Sequence, residues 1–200
     1  MNLPVELGIA SHNPGKIREI RAICAGWPVR WVTADEDPRE WPDVEETGAT
    51  YLENALLKGH EVARALGIPV VADDSGIEVD ALGGAPGPRS ARYAGEAATD
   101  EQNLQALITA VRGVPRNGRT ARYRCVAAMC WPDGRERHAE ATVEGILITK
   151  PRGEGGFGYD PIFVPEGWDE TMAELPPEQK DRISHRGRAF RALADLVRAA

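Results

Sequence analysis

The spacing of apolar positions changes several times along the chain, and each change marks an element. Leu7 to Ala10 is an apolar run of strand length. The turn-forming segment Ser11-His12-Asn13-Pro14-Gly15-Lys16 then leads into a helix whose Ile17, Ile20 and Cys24 share a face. A second helix is expected from Thr50, because Thr50 and Glu53 stand at capping-box spacing. It carries Leu52, Leu56, Ala63 and Leu66 inward before Gly67 and Pro69 stop it. The apolar run Val70-Val71-Ala72 predicts a buried strand that ends at Asp73-Asp74-Ser75-Gly76, with Ile77, Val79 and Leu82 open to a second, alternating stretch.

Gly83 to Gly95 is a Gly/Pro-rich loop too long for a simple turn. Thr99 and Gln102 cap another helix, with Leu104, Leu107, Ile108 and Val111 at helical spacing. The period then shortens to two. Tyr123, Cys125, Ala127 and Met129 fall on one side of an extended segment from Arg119 to Trp131. After the turn Pro132-Asp133-Gly134, His138 to Ile148 reads as its antiparallel partner. A glycine-rich loop from Gly153 to Pro161, a short strand Ile162 to Val164 and a helix Ala189 to Val197, with Leu193, Leu196 and Val197 buried, complete the pattern.

Its 200 residues suit one domain or a compact two-lobed one. A formal net charge of −7, with no basic stripe, argues against nucleic acid as the main partner. Cys24, Cys125 and Cys130 form no CxxC pair, so neither a disulfide framework nor a zinc site is indicated. With no basic-then-apolar leader and no apolar run of membrane-spanning length, the expectation is a soluble cytoplasmic protein without membrane contact.

Four segments could carry chemistry. Adjacent Asp73 and Asp74 are unfavourable as like charges unless a divalent cation or a proton relieves them, although Asp, Ser and Gly also suit a solvated turn. Ser11 to Lys16 offers backbone N–H groups, a hydroxyl, an amide and an ammonium where a helix dipole favours anions; the alternative is an ordinary strand-to-helix turn. Gly153, Gly155 and Gly158 satisfy GxGxxG, but Tyr159-Asp160-Pro161 follows instead of a helix, which excludes a dinucleotide fold. Those glycines would let backbone approach a ligand while Phe157 and Tyr159 present aromatic faces. Lys180, His185 and Arg186 gather donors near a helix start expected at Ser184, as a binding group or as a solvated face. Glu45 and Glu46 form a further acidic pair.

In this order Ser11-His12-Asn13-Pro14-Gly15-Lys16, Glu45-Glu46-Thr47-Gly48, Asp73-Asp74-Ser75-Gly76, Gly84-Ala85-Pro86-Gly87 with Ser90-Ala91-Arg92-Tyr93, Gly155 to Phe163 and Ser184-His185-Arg186 resemble the Ham1/RdgB family of non-canonical purine nucleoside triphosphate pyrophosphatases. His12 and Pro14 depart from it, since the family often has Gly and a small residue there. The resemblance implies an α/β fold, a long mixed β-sheet flanked by helices, with two lobes and a central active-site cleft in a single domain spanning residues 1–200. It also implies hydrolysis of ITP, dITP or XTP to the monophosphate and pyrophosphate by a homodimer.

By the same resemblance Asp74 would be catalytic, and Asp74 with Glu45 would hold one Mg2+ per subunit. Substrate would meet Ser11, His12, Asn13, Pro14, Gly15 and Lys16 at the phosphates and Ser75 beyond them. The base would meet Phe157, Gly158, Tyr159, Asp160, Lys180, His185 and Arg186. Asp73 is left without an assigned role. A non-catalytic nucleotide sensor and a hydrolase of the Maf type are the competing expectations.

Overall fold

The computed structural model describes residues 5–199. Its elements are β1 (Glu6–Ile9), α1 (Pro14–Ile23), β2 (Arg30–Val32), α2 (Tyr51–Leu66), β3 (Val70–Val79), α3 (Asp100–Val111), β4 (Thr120–Cys130), β5 (Glu136–Leu147), β6 (Phe163–Pro165), α4 (Pro177–Ile183) and α5 (His185–Ala199). The strands form one mixed sheet in the order β2-β1-β3-β4-β5-β6. β1 is parallel to β2 and β3, and β5 is antiparallel to β6. This is the α/β class the sequence predicts.

The chain divides into two compact units. Met1–Asp74, Cys125–Ala141 and Arg186–Ala200 make unit 1; Ser75–Arg124 and Thr142–His185 make unit 2. In unit 1 the pleat separates two cores, because alternate strand residues face opposite sides. Val71, Cys125, Ala127 and Met129 pack with Ile20, Phe190, Leu193 and Val197 of α1 and α5. Val70, Ala72, Val126, Ala128 and Cys130 pack with Ala55, Val62, Ala63 and Leu66 of α2. Strands covered on both faces read as nearly continuous apolar runs, as Val70-Val71-Ala72 does. In unit 2, Ile77, Val79, Tyr123, Val143 and Leu147 form one core with Leu104, Leu107, Ile108 and Val111 of α3.

Both capping boxes are present: Thr50 Oγ1 accepts from Glu53 N, and Thr99 Oγ1 accepts from Gln102 N. Gly67 ends α2 in the left-handed conformation, φ 67°. Three expectations need correction. β3 does not end at Asp73 but runs unbroken to Val79, so Asp73-Asp74-Ser75-Gly76 is strand and not a solvated turn. α5 begins at His185, four residues before Ala189, and leaves Leu196 exposed, because the buried stripe is Phe190, Leu193, Ala194 and Val197. Leu52 and Leu56 are only partly buried, while Tyr51 and Ala55 face the core. Lys180 lies inside a helix that was not predicted, α4, which Pro177 opens after Pro176.

Gly59 sits inside α2, where alanine would ordinarily gain about 1 kcal/mol of helix propensity. A Cβ there would stand 2.5 Å from Cys130 Sγ and 3.2 Å from Cys130 Cβ. Gly59→Ala is therefore expected to lower the unfolding free energy by about 1–3 kcal/mol in chemical denaturation, as overpacking does. Adding Cys130→Ala should recover most of the loss. A stabilised Gly59→Ala protein would contradict this packing.

Candidate active site

Asp73 and Asp74 are 1% and 3% exposed. As consecutive strand residues they point to opposite faces, which is how two like charges stand side by side in the chain yet meet different surroundings. Asp73 enters the face covered by α1 and α5. Its Oδ2 accepts from Arg186 Nη2 at 3.1 Å and Nε at 3.3 Å, and pairs with Lys16 Nζ at 3.3 Å. Arg186 Nη1 donates to Glu19 of α1. Asp74 turns towards α2, where Asn54 Nδ2 donates to its Oδ2 at 3.0 Å. Asn54 is held in turn by accepting from Gly48 N at 2.8 Å. Four residues along α2, Lys58 Nζ donates to the Asp73 carbonyl at 2.8 Å and pairs with Glu46.

These surroundings displace the two carboxyls in opposite directions. Burial by itself would raise Asp73, but the charges of Lys16, Arg186 and Lys58 outweigh it and hold the group far below the ordinary carboxylate range. Burial also raises Asp74, where Lys16 and Lys58 oppose less effectively and the Glu46 charge adds to the rise. Asp73 is thus a permanent anion, and Asp74 is the carboxylate better disposed to take a proton. Burial disfavours charge on Lys58 as well, yet Glu46, Asp74 and Asp73 raise it above its usual value and keep it cationic.

The loop before α1 is self-contained. Asn13 is the N-cap, its Oδ1 accepting from Gly15 N at 2.8 Å and Lys16 N at 3.1 Å. Ser11 Oγ accepts from Asn13 N, and Ser11 N donates to the Ile9 carbonyl. The N–H groups of Ser11, Asn13, Gly15 and Lys16 are therefore already engaged, and the charged contribution of the loop is the Lys16 ammonium at the positive end of α1. His12 and Pro14 are exposed, and Gly15 is buried. Of the acidic pair, Glu45 is exposed and Glu46 is the half-buried member beside Lys58.

Unit 2 holds a second buried carboxylate. Asp160 is 3% exposed and accepts from Lys180 Nζ at 2.6 Å, Tyr123 OH at 3.1 Å and Phe157 N at 2.9 Å. The Tyr123 ring stacks on His185, centroids 4.5 Å apart and planes 6° from parallel. Lys180 Nζ lies 5.2 Å from the centre of the half-buried Phe157 ring. Gly156, at φ 71°, admits this arrangement: a Cβ there would fall 2.1 Å from Asp160 Oδ2. Gly158 N donates to Asp100 at 3.1 Å. Tyr159 is buried in the unit 2 core with its hydroxyl on the Ser90 carbonyl at 2.8 Å, so its ring packs inward and does not present a face.

The structure thus gathers Lys16, Asp73, Asp74 and Arg186 in unit 1, and Phe157, Asp160, Lys180 and His185 in unit 2. Ser75, half-buried, follows Asp74 as the first residue of unit 2. Sequence reasoning missed Asn54, Lys58 and Glu19. Asn54 and Lys58 did leave a signal, being polar residues four apart within a helix whose inward stripe is otherwise apolar. Among the described residues no group of three or more His, Cys, Asp or Glu forms a ready-made metal cage.

A model of the Ham1 family matches residues 7–196. The dITP/XTP pyrophosphatase of Streptomyces coelicolor is 52% identical over 192 residues, 95% of this chain and 96% of that protein. The dITP/XTP pyrophosphatase of Bacillus subtilis is 44% identical over 193 residues, 96% of each. The solved Ham1 protein of Staphylococcus aureus matches with a TM-score of 0.83 at 43% identity, covering 97% of this chain and 98% of that one. A HAM1 protein from Coxiella burnetii gives 0.86 at 37% identity, covering 98% and 100%. With the family pattern matched from β1 into α5 and the fold shared with its solved members, the chain belongs to the Ham1 family.

Proposed function

We propose that this chain hydrolyses non-standard purine nucleoside triphosphates, dITP, ITP and XTP, to the monophosphate and pyrophosphate, and so removes them from the nucleotide pool. The observation that carries the reading is the pair Asp73 and Asp74, one carboxylate fixed as an anion and its neighbour raised towards proton acceptance, beside Lys16 and Lys58. The activity of the relatives named above agrees with it. In this reading Asp74 takes the proton of the attacking water. Lys16 and Lys58 offset negative charge on the triphosphate and on the departing pyrophosphate, with the N-terminus of α1 adding its dipole.

A divalent cation fits these residues. Magnesium takes oxygen donors and usually one or two carboxylates plus substrate phosphates, so no larger cage is required. Asp74 would hold it, with Glu46, whose charge is felt at Asp74, or with the neighbouring Glu45. When bound, the ion would neutralise phosphate charge and make a coordinated water more acidic.

Unit 2 takes the base in this proposal, stacked on Phe157. Lys180, fixed by Asp160, and His185, fixed on Tyr123, would donate to the 6-oxo group of hypoxanthine or xanthine. Adenine carries a donor at that position and would leave those groups unsatisfied, a penalty of roughly 10⁴-fold. The proposal includes action in the cytoplasm and as a homodimer. Among the described residues no helix is long and apolar enough to cross a membrane.

Pyrophosphate release from XTP, dITP, GTP and ATP in Mg2+ checks the reading. XTP and dITP should exceed ATP in kcat/KM by about 10⁴-fold; similar rates on all four would refute the selectivity. Asp74→Asn should lower kcat by about 10²–10⁴-fold with the fold intact by circular dichroism. Full activity in that variant would remove Asp74 from the mechanism. Chelation with EDTA should abolish turnover and added Mg2+ restore it, whereas a rate indifferent to chelator would rule out the metal.

A further inference from the structure

We infer that Asn54 is a positioning residue that holds Asp74 and the loop carrying Glu45 and Glu46 at the spacing a divalent cation requires, an inference that rests on the function proposed above. All of these residues belong to unit 1. Asn54 is fully buried, in the inward stripe of α2 with Tyr51, Ala55, Val62 and Ala63. An amide in an apolar stripe is unfavourable unless both its ends are bonded. Both are, and to different parts of the unit: Oδ1 accepts from Gly48 N at 2.8 Å, and Nδ2 donates to Asp74 Oδ2 at 3.0 Å.

These two bonds fix the sense of the amide. A backbone N–H can only donate, so the Asn54 oxygen must face Gly48 and its NH2 group must face Asp74. One planar group thus orients the Asp74 carboxyl and sets how far β3 stands from the loop. The approach is close: a Cβ on Gly48 would fall 2.6 Å from Asn54 Oδ1 and 2.7 Å from Glu53 Cβ, so glycine is what lets the loop reach the helix. Glu45 and Glu46 stand immediately before Thr47-Gly48 and move with it. One turn further along α2, Lys58 makes a parallel connection, from Glu46 to the Asp73 carbonyl. Lys58 grips the backbone of β3, whereas Asn54 grips the side chain of Asp74. The carboxylates assigned to the cation therefore come from two separate segments, and Asn54 is bonded to both segments at once.

The test is Mn2+ binding, read from the electron paramagnetic resonance of the free ion with inosine monophosphate present, in the wild-type protein, Asn54→Leu and Gly48→Ala. Calorimetric binding of inosine monophosphate without metal is measured alongside. Asn54→Leu keeps the volume and removes both bonds; it should weaken Mn2+ by about 10–100-fold, as loss of a group that orients a metal ligand does, and leave metal-free inosine monophosphate within about twofold. Gly48→Ala keeps the Asn54 amide but forces the loop off it, and should weaken Mn2+ in the same direction, by about tenfold. Unchanged Mn2+ affinity in Asn54→Leu would overturn the inference. So would a wild-type protein that binds no Mn2+, or a loss of both ligands together, which would make the role of Asn54 one of general structure. If Asn54→Leu does not fold, Gly48→Ala decides by the same criterion. Binding is read without turnover: a wild-type protein that shows this pattern but releases no pyrophosphate from XTP would refute the proposed function alone. One that turns over XTP while Asn54→Leu binds Mn2+ normally would refute this inference alone.

Discussion

An ionised carboxylate inside a sheet is costly, because leaving water costs several kcal/mol unless opposite charge and hydrogen bonds replace the hydration. Asp73 meets that requirement with Lys16, Arg186 and the cationic Lys58 on its own carbonyl. Those partners come from α1, α5 and α2, so one residue, through its side chain and its carbonyl, ties three helices to β3. The same requirement explains why β3 can carry two adjacent aspartates. The pleat sends Asp74 to the other face, where burial and Glu46 raise it and Asn54 orients it. One dipeptide thus carries a carboxyl held as an anion and a neighbour raised above its ordinary value.

Unit 2 uses the same device at a different place. Asp160 is buried, and its three donors come from α4, β4 and the glycine-rich loop. Lys180 is thereby held over Phe157, and Tyr123 is held where His185 stacks on it. In each unit a buried aspartate pairs with a lysine: Asp73 with Lys16, and Asp160 with Lys180.

The helices and the long strands were legible from the sequence wherever one local signal decided them. Thr50 with Glu53, and Thr99 with Gln102, cap helices because the capping box is local chemistry. The alternation through Tyr123, Cys125, Ala127 and Met129 is enforced by one side of a strand. β3 was misread for a physical reason: Asp, Ser and Gly are poor strand formers, and cations from the separate helices α1, α5 and α2 make Asp73 acceptable there. α4 was not predicted, although Pro177 is tolerated in a first helical turn. Of the candidate site, the order of motifs singled out Lys16, Asp74 and Phe157, and the donor cluster before α5 singled out Lys180. Spacing could not tell that Arg186 turns to Asp73 while His185 turns to Tyr123, nor that Asn13 spends its side chain as a cap.

The central claim, that Asp73 is a buried anion on which unit 1 depends, is tested most directly by the stability of metal-free wild-type and Asp73→Asn protein as a function of pH. The folded-state carboxyl lies below its unfolded value of about 3.9, so its contribution is fully present above that pH and is lost as pH falls towards the folded value. In urea denaturation at pH 7 the variant should be less stable by about 3–5 kcal/mol, since it leaves Arg186 and Lys16 without their buried counter-charge. The gap should narrow below about pH 4, as the carboxyl of the unfolded wild-type chain takes up a proton while the folded one stays ionised. Equal stability at pH 7, or a gap that does not change with acidification, would contradict the account.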